Sequence, residues 1–326
     1  MVIAENKLSM NISSESKILQ LARADDFSGI ETIQTLWSGY GDIKRYHLID
    51  GVADSIIVKH IHIPRSGVSN SDLSHKRKLK SYQVEINWYK AWNPQCDENC
   101  RTPYCYGVEI KDEEIIIVLE DLNQSGFNIR KGRADTAEMH SCLKWLANFH
   151  ALFLGEDAAG LWETGTYWHL ETRPDELTIL DDKELKNSAH KIDQILKNSK
   201  YQTIVHGDAK LANFCFSKDN QVAAVDFQYV GKGCGMKDVA YFIGSCMDED
   251  ASERNEAPLL NFYFHQLRMA LKRLKPQIQI DTLEAEWRNM YPVAWTDFHR
   301  FYKGWSPSKW DKNCYSEKVS RFVINN

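Results

Sequence analysis

A chain of 326 residues has room for about two domains at roughly 100–200 residues each, and its 43% hydrophobic content is that of a globular protein with a sizeable core. A net charge of −5 with both signs interspersed excludes the basic surface that nucleic-acid binding needs; the one dense basic patch, Lys76-Arg77-Lys78 with Lys80, reads as a solvated face. No apolar run approaches the ~18–20 residues that span a bilayer, so no membrane association is expected.

The start, Met1 to Ser16, is polar and lacks a signal-peptide core, which predicts a cytoplasmic protein. Eight cysteines in such a setting read as free thiols. Cys96, Cys100 and Cys105 cluster in one loop, but no fourth ligand and no tight pair accompanies them, so zinc is not expected there. Ile33 to Ile49 carries Ser38-Gly39-Tyr40-Gly41 between two strand-like stretches and reads as a hairpin. Ser55 to Ile63 reads as a strand, apolar and β-branched except at Lys59 and ended by Pro64. After a polar loop from Arg65 to Ser74, the spacing of Val84, Trp88 and Trp92 predicts a helix over 75–92, stopped by Asn93-Pro94. Two further strands follow, near Tyr104 to Ile110 and Glu114 to Glu120.

The character changes after Asp121. Asp135 to Leu154 is an amphipathic helix with Met139, Cys142, Leu143, Leu146, Phe149 and His150 inward. A second helix covers about Lys183 to Asn198, and Thr203 to His206 and Gln221 to Phe227 read as small strands. From Pro258 onward the chain is helical and aromatic-rich. The expected class is α+β, with an antiparallel sheet and one helix in 1–121 and a mostly helical region in 122–326.

The segment from Ile204 to Gln228 carries the chemistry. His206-Gly207-Asp208 begins it, Asn213 lies five residues after Asp208, and Asp226 follows thirteen residues later at the end of a β-branched run. Phosphoryl transfer needs a carboxylate to orient the attacking hydroxyl and oxygen ligands to hold magnesium against a triphosphate. Asp208 can serve as the base, and Asn213 with Asp226 can hold Mg2+.

This spacing resembles the catalytic and metal loops of the protein-kinase-like superfamily, in the His-Gly-Asp form of aminoglycoside and choline phosphotransferases. The Asp226-Phe227-Gln228 ending resembles the ecdysteroid-kinase-like branch more specifically. Ser81 to Glu85, Leu119 to Leu122, Leu146 to Ala151, Lys237 to Phe242 and Tyr291 to Trp295 are similar to segments of that branch, so the resemblance spans about 30–310. It implies a bilobal protein-kinase-like fold and an ATP- and Mg2+-dependent kinase acting on a small hydroxylated molecule. Within it, Lys59, a charge in an apolar strand that needs a partner, would bind ATP phosphates with Glu85 holding its ammonium. Ser38, Gly39 and Gly41 sit where a phosphate-covering loop is expected, and Glu120, Asp121 and Leu122 where hinge main-chain atoms would bind adenine. Lys210 would steady the γ-phosphate and His206 would support the loop from behind.

Other features read as structural. Gly231-Lys232-Gly233-Cys234-Gly235 lacks dinucleotide-loop spacing and is expected to be a flexible segment that Asp238 anchors. No phosphate-binding GxxxxGK[ST] occurs. The stripe Trp287, Tyr291, Trp295, Phe298, Tyr302 and Trp305 follows one helix face and reads as core rather than as a cation-binding aromatic cage; His140 and His150 read as ordinary histidines. The run from Asp226 to Asp238 is too short for a protein-kinase activation loop. The competing readings are an inactive nucleotide-binding scaffold, which would typically lack one of Lys59, Asp208, Asn213 and Asp226, and a kinase of the choline or aminoglycoside type.

Overall fold

The structure is a computed structural model that describes residues 14–36, 39–63, 73–307 and 310–326. The chain divides into two compact units, Met1–Val68 with Tyr104–Gln124, and Ser69–Pro103 with Ser125–Asn326. A single division after residue 121 is expected from sequence; the division found is discontinuous, because the segment holding the helix near 75–92 groups with the helical unit.

The first unit is built on α1 (Ser14–Ala22) and five strands, β1 (Asp26–Thr35), β2 (Gly41–Ile49), β3 (Ser55–His62), β4 (Cys105–Lys111) and β5 (Glu114–Glu120). All neighbours are antiparallel, in the order β1-β2-β3-β5-β4. Strand alternation sends Ile56 and Val58 of β3 and Ile116 and Val118 of β5 to one face, where they meet Ile18 and Ala22 of α1 in a buried cluster with Tyr46. Full burial of each such aliphatic side chain contributes roughly 1.5–3 kcal/mol, which holds the short α1 on the sheet. Lys59 falls on the opposite face of β3, paired with Ile43 and Ile117, and is buried.

The hairpin expected around 38–41 is the β1–β2 connection, although Ser38 lies outside the described residues. Gly41 has φ +133°, and a Cβ there would lie 1.9 Å from the carbonyl oxygen of His60, so glycine is required for β2 to pair with β3. Asp121 closes the unit: its Oδ2 accepts from Arg45 Nε and Ser55 Oγ, both at 2.6 Å, and its Oδ1 from the backbone N–H of Asn123 at 3.1 Å. These bonds outweigh the cost of burying the charge and hold the carboxyl below its ordinary range.

The second unit contains α2 (Leu73–Asn87), α3 (Thr136–Leu152), α4 (Pro174–Ile179), α5 (Lys183–Lys197), four short strands β6 (Thr203–Val205), β7 (Phe214–Phe216), β8 (Val222–Ala224) and β9 (Gly231–Gly233), and α6 (Met236–Cys246), α7 (Glu249–Leu274), α8 (Ile280–Trp305) and α9 (Tyr315–Asn325). The helix expected over 75–92 ends its α-helical part at Asn87 and continues to Trp92 as a wider π-helical turn. A capping box starts α3: the Asp135 carboxylate accepts from the Glu138 N–H, and the Glu138 carboxylate from the Asp135 N–H, each at 2.9 Å. The six residues expected to point inward on α3 are all buried.

Four expectations change here. The segment after the metal loop is not flexible: Gly231–Gly233 is β9, antiparallel to β6. The strand expected to run to Phe227 stops at Ala224 and forms its hairpin with β7, while β6 pairs elsewhere. Only the first half of the α8 stripe is core. Trp287, Tyr291 and Trp295 are buried, whereas Trp305 is 59% exposed. The basic patch on α2 is also not wholly solvated: Arg77 Nη1 donates to the Thr172 carbonyl at 2.8 Å, and Lys80 Nζ lies 4.5 Å above the Trp162 ring.

Candidate active site

The β7–β8 hairpin and the two loops flanking it bring His206, Asp208, Lys210, Asn213 and Asp226 into one region of the second unit. The entry turn is set by Gly207, at φ +80°. A Cβ there would lie 2.1 Å from the Tyr229 carbonyl oxygen, which explains why no side chain stands between His206 and Asp208. The same turn is anchored from α6. The fully buried carboxylate of Asp238 accepts the N–H groups of His206 at 2.6 Å and Gly207 at 3.0 Å, and it contacts His150 Nε2 at 3.1 Å. Asp238 therefore anchors the loop that opens with His206 and Gly207, and not the glycine segment to which sequence assigns it. His150 is a core histidine, its other nitrogen 2.8 Å from the Tyr263 hydroxyl.

His206 is completely buried behind the loop. Its Nδ1 accepts the Asp208 N–H at 3.2 Å and its Nε2 donates to the Val225 carbonyl at 3.1 Å, so it ties the strand before Asp226 to the loop holding Asp208. Burial pushes the imidazole pKa down, which keeps it neutral in this donor–acceptor role. It positions the loop from within. Phe227, fully buried, stacks on Trp88 at 4.4 Å and lies 4.7 Å from the His206 ring, so its packing places Asp226.

Asp208 is held on both oxygens. Oδ2 accepts from Lys210 Nζ and Asn213 Nδ2, each at 3.0 Å, and Oδ1 accepts from the Tyr241 hydroxyl at 3.3 Å. Burial pushes its pKa up to about 6; the Lys210 charge opposes the shift and the Asp226 charge adds to it. Lys210 experiences the converse: burial lowers its pKa, but the Asp208 and Asp226 carboxylates outweigh burial and raise it. Burial and the Asp208 charge push the Tyr241 and Tyr167 phenols well up, so Tyr241 remains a donor. Tyr167 in turn hydrogen-bonds to Tyr241.

Asp226 has φ +71°, a left-handed conformation that costs a residue with a Cβ roughly 1–2 kcal/mol. Its Oδ1 is buried without a hydrogen-bond partner among the described residues. Asn213 directs its Nδ2 to both the carbonyl and the carboxylate of Asp208, which leaves its amide oxygen as the atom outside those bonds. Two hard oxygen donors, one buried and unpaired, suit magnesium, so the residues present fit the metal that the resemblance implies.

The remaining predicted residues are distributed over both units. Lys59 is buried on β3 of the first unit and Glu85 is buried on α2 of the second. Gly39 is exposed at φ +72°, with no atom within 4 Å of where a Cβ would stand. Glu120 gives its N–H to the Tyr104 carbonyl and its carboxylate accepts the Tyr104 N–H, both at 2.8 Å. Leu122 is buried, and the Asp121 carboxylate is committed to the first unit as described. A 240 Å³ cavity lined by Asp193, Lys197, Lys232 and Lys237 includes none of these residues. Sequence reasoning gives Tyr167 and Tyr241 no role. The available signal was Asp238 and Tyr241, three apart in an apolar helix, which puts both on one face of α6.

No curated protein sequence matches the chain. Among solved structures, it is similar to the amicoumacin kinase hAmiN in complex with AMP-PNP, Ca2+ and Ami, at 13% identity over 96% of this chain and 92% of that chain, with a TM-score of 0.51. It is also similar to a microcompartment-associated aminopropanol kinase, at 11% identity over 95% and 92% of the two chains and the same TM-score of 0.51. Identities this low show a shared fold, the protein-kinase-like fold that the resemblance implies. The sequence profile of the ecdysteroid kinase-like family matches residues 52–154 and 168–276, most of the chain, and the chain belongs to that family.

Proposed function

We propose that this protein is an ATP-dependent kinase that transfers the γ-phosphoryl group to a hydroxyl of a small metabolite. The observation that carries the reading is the Asp208 carboxylate, bonded by Lys210, Asn213 and Tyr241, with the unpaired Asp226 oxygen nearby in the same hairpin region. Asp208 orients the acceptor hydroxyl and takes its proton; a carboxyl lifted to about 6 is a better base than an ordinary aspartate and is still ionised at neutral pH. Lys210 sets a positive charge beside that carboxylate, where negative charge develops on the transferred group. Asn213 and Asp226 would hold Mg2+, and Lys59 and Glu85 belong to the set that binds the ATP phosphates. The turn at Ser38, Gly39 and Gly41 would cover those phosphates, with main-chain atoms of 120–122 binding adenine. Bound Mg2+ would neutralise triphosphate charge during transfer. The names of the two similar structures, an amicoumacin kinase and an aminopropanol kinase, support a small-molecule acceptor.

Thermal unfolding with and without Mg·ATP tests the reading. Ligand at ~100-fold above Kd stabilises the folded state by about 2.7 kcal/mol. The expected result is a Mg2+-dependent rise in Tm for the wild type that shrinks in Asp226→Ala, followed by γ-phosphate transfer to a hydroxylated metabolite that Asp208→Asn abolishes. No nucleotide-dependent shift in the wild type would refute the kinase reading, and a shift with no phosphoryl transfer to any acceptor would favour the inactive nucleotide-binding scaffold.

A further inference from the structure

Strands β3 and β5 carry a second group of potential ligands, on the face of the sheet that α1 covers. His60 and His62 alternate onto that face, and Glu114 is the cross-strand partner of His62. The Glu114 Oε1 lies 2.6 Å from His60 Nε2 and 3.8 Å from His62 Nδ1, and the three ligand atoms lie within 4.8 Å of one another. Metal–ligand bonds of 2.0–2.2 Å in a tetrahedral zinc site put ligand atoms about 3.3–3.5 Å apart. The observed separations bracket that value, and small side-chain rotations reach it.

Two surrounding features fit a metal site. Ser14 Oγ, at the start of α1, donates to Glu114 Oε2 at 2.8 Å, which turns Oε1 toward the imidazoles, as second partners of ligating carboxylates do. On β2, Asp42 is the cross-strand partner of His60, and its Oδ1 is buried without a hydrogen bond among the described residues while its Oδ2 pairs with Lys44 at 2.9 Å. His62 is over half exposed, which leaves an entry path and a coordination position open to water.

We propose that His60, His62 and Glu114 bind one divalent transition-metal ion of the zinc class, cross-linking β3 to β5. Imidazole and carboxylate ligands suit Zn2+, and the set differs from the all-oxygen donors assigned to Mg2+. This inference stands independently of the kinase reading, because none of its ligands takes part in it.

The test is titration of the full chain with Zn2+ by calorimetry and with Co2+ by absorbance, alongside His62→Ala, Glu114→Gln and Ser14→Ala. One tight site is expected in the wild type, with d–d bands and no thiolate-to-metal charge-transfer band. It should be lost in His62→Ala and Glu114→Gln and weakened about 10–100-fold in Ser14→Ala. His62 is exposed, so its alanine variant retains the fold, which circular dichroism checks. Binding that survives His62→Ala and Glu114→Gln, or that carries the thiolate band, assigns the ion to the cysteines or the Asp226 region and overturns the proposal. Absence of tight binding to the wild type overturns it as well.

Discussion

Replacing Asp208 by asparagine should abolish phosphoryl transfer and at the same time make the protein more stable. In the folded chain its pKa stands at about 6 instead of the ordinary 3.8, because burial disfavours the charged form more than Lys210 and Asn213 favour it. That difference is the net result of all contacts to the carboxylate, hydrogen bonds included, and at 1.36 kcal/mol per pH unit it amounts to about 3 kcal/mol. The group is almost wholly buried, so solvent screening does not erode the figure. Between pH 3.8 and 6 the folded state holds a proton that the unfolded state has released, so wild-type stability falls as pH rises through this window. Asparagine mimics the neutral acid and escapes the penalty. At pH 7.5 the variant should therefore unfold roughly 4–6 °C higher than wild type. The gap should shrink to about half near pH 5 and to roughly a fifth near pH 4, and close near about pH 3. Differential scanning calorimetry of both proteins at three pH values measures it. A less stable variant at pH 7.5, or a gap that ignores pH, would refute the argument that Asp208 is held ionised against its surroundings.

Tyr241→Phe removes the Tyr241 hydroxyl's bond to Asp208 Oδ1 while keeping the ring packed near Trp168 and Phe298, so kcat should fall about tenfold with little change in KM. Loss of that donor also raises the Asp208 pKa further, and the acid limb of the pH–rate profile should move to higher pH; an unmoved limb would show a purely packing role. Asp121→Ala leaves Arg45 and Ser55 without their buried acceptor, and the first unit should lose about 3 kcal/mol in urea unfolding. If ATP affinity fell and the urea midpoint did not move, the Asp121 side chain would be a nucleotide contact and not a structural tie.

What sequence could reveal was largely local. The β3 and β5 strands are short apolar runs bounded by breakers, and α3 has both apolar periodicity and a capping box, so periodicity alone located them. The β6–β9 pair escaped because three residues, two of them glycine, carry no periodic signal, and their strand state is imposed by pairing with Thr203 to Val205. Discontinuity of the first unit escaped for a related reason. The segment 69–103 is adjacent in sequence to β3, and only tertiary packing, such as Trp88 on Phe227 and Asn87 on the Gly160 carbonyl, assigns it to the helical unit. Spacing inside the loop exposed Asp208, Asn213 and Asp226, whereas Asp238, Tyr241 and Tyr167 reach the same loop from segments about 30–40 residues away and have no local signature.

The distant groups make sense once the cost of the local ones is considered. A left-handed Asp226, a buried carboxylate oxygen with no donor and an ionised Asp208 all destabilise the same few residues. Such a cluster persists only if its surroundings over-determine it. They do so by apolar and polar means together: Phe227 is locked by Trp88 and His206, and Asp238 fixes the two amides that open the loop. Tyr241, one turn along α6 from Asp238, then reaches Asp208 itself. One helix thus supplies both the anchor of the loop backbone and a donor to the Asp208 carboxylate, so a small shift of α6 would disturb the backbone and the proposed base together. The segment Lys237 to Phe242, remote in sequence from Asp208, is the support that lets the loop keep an unfavourable charge in place.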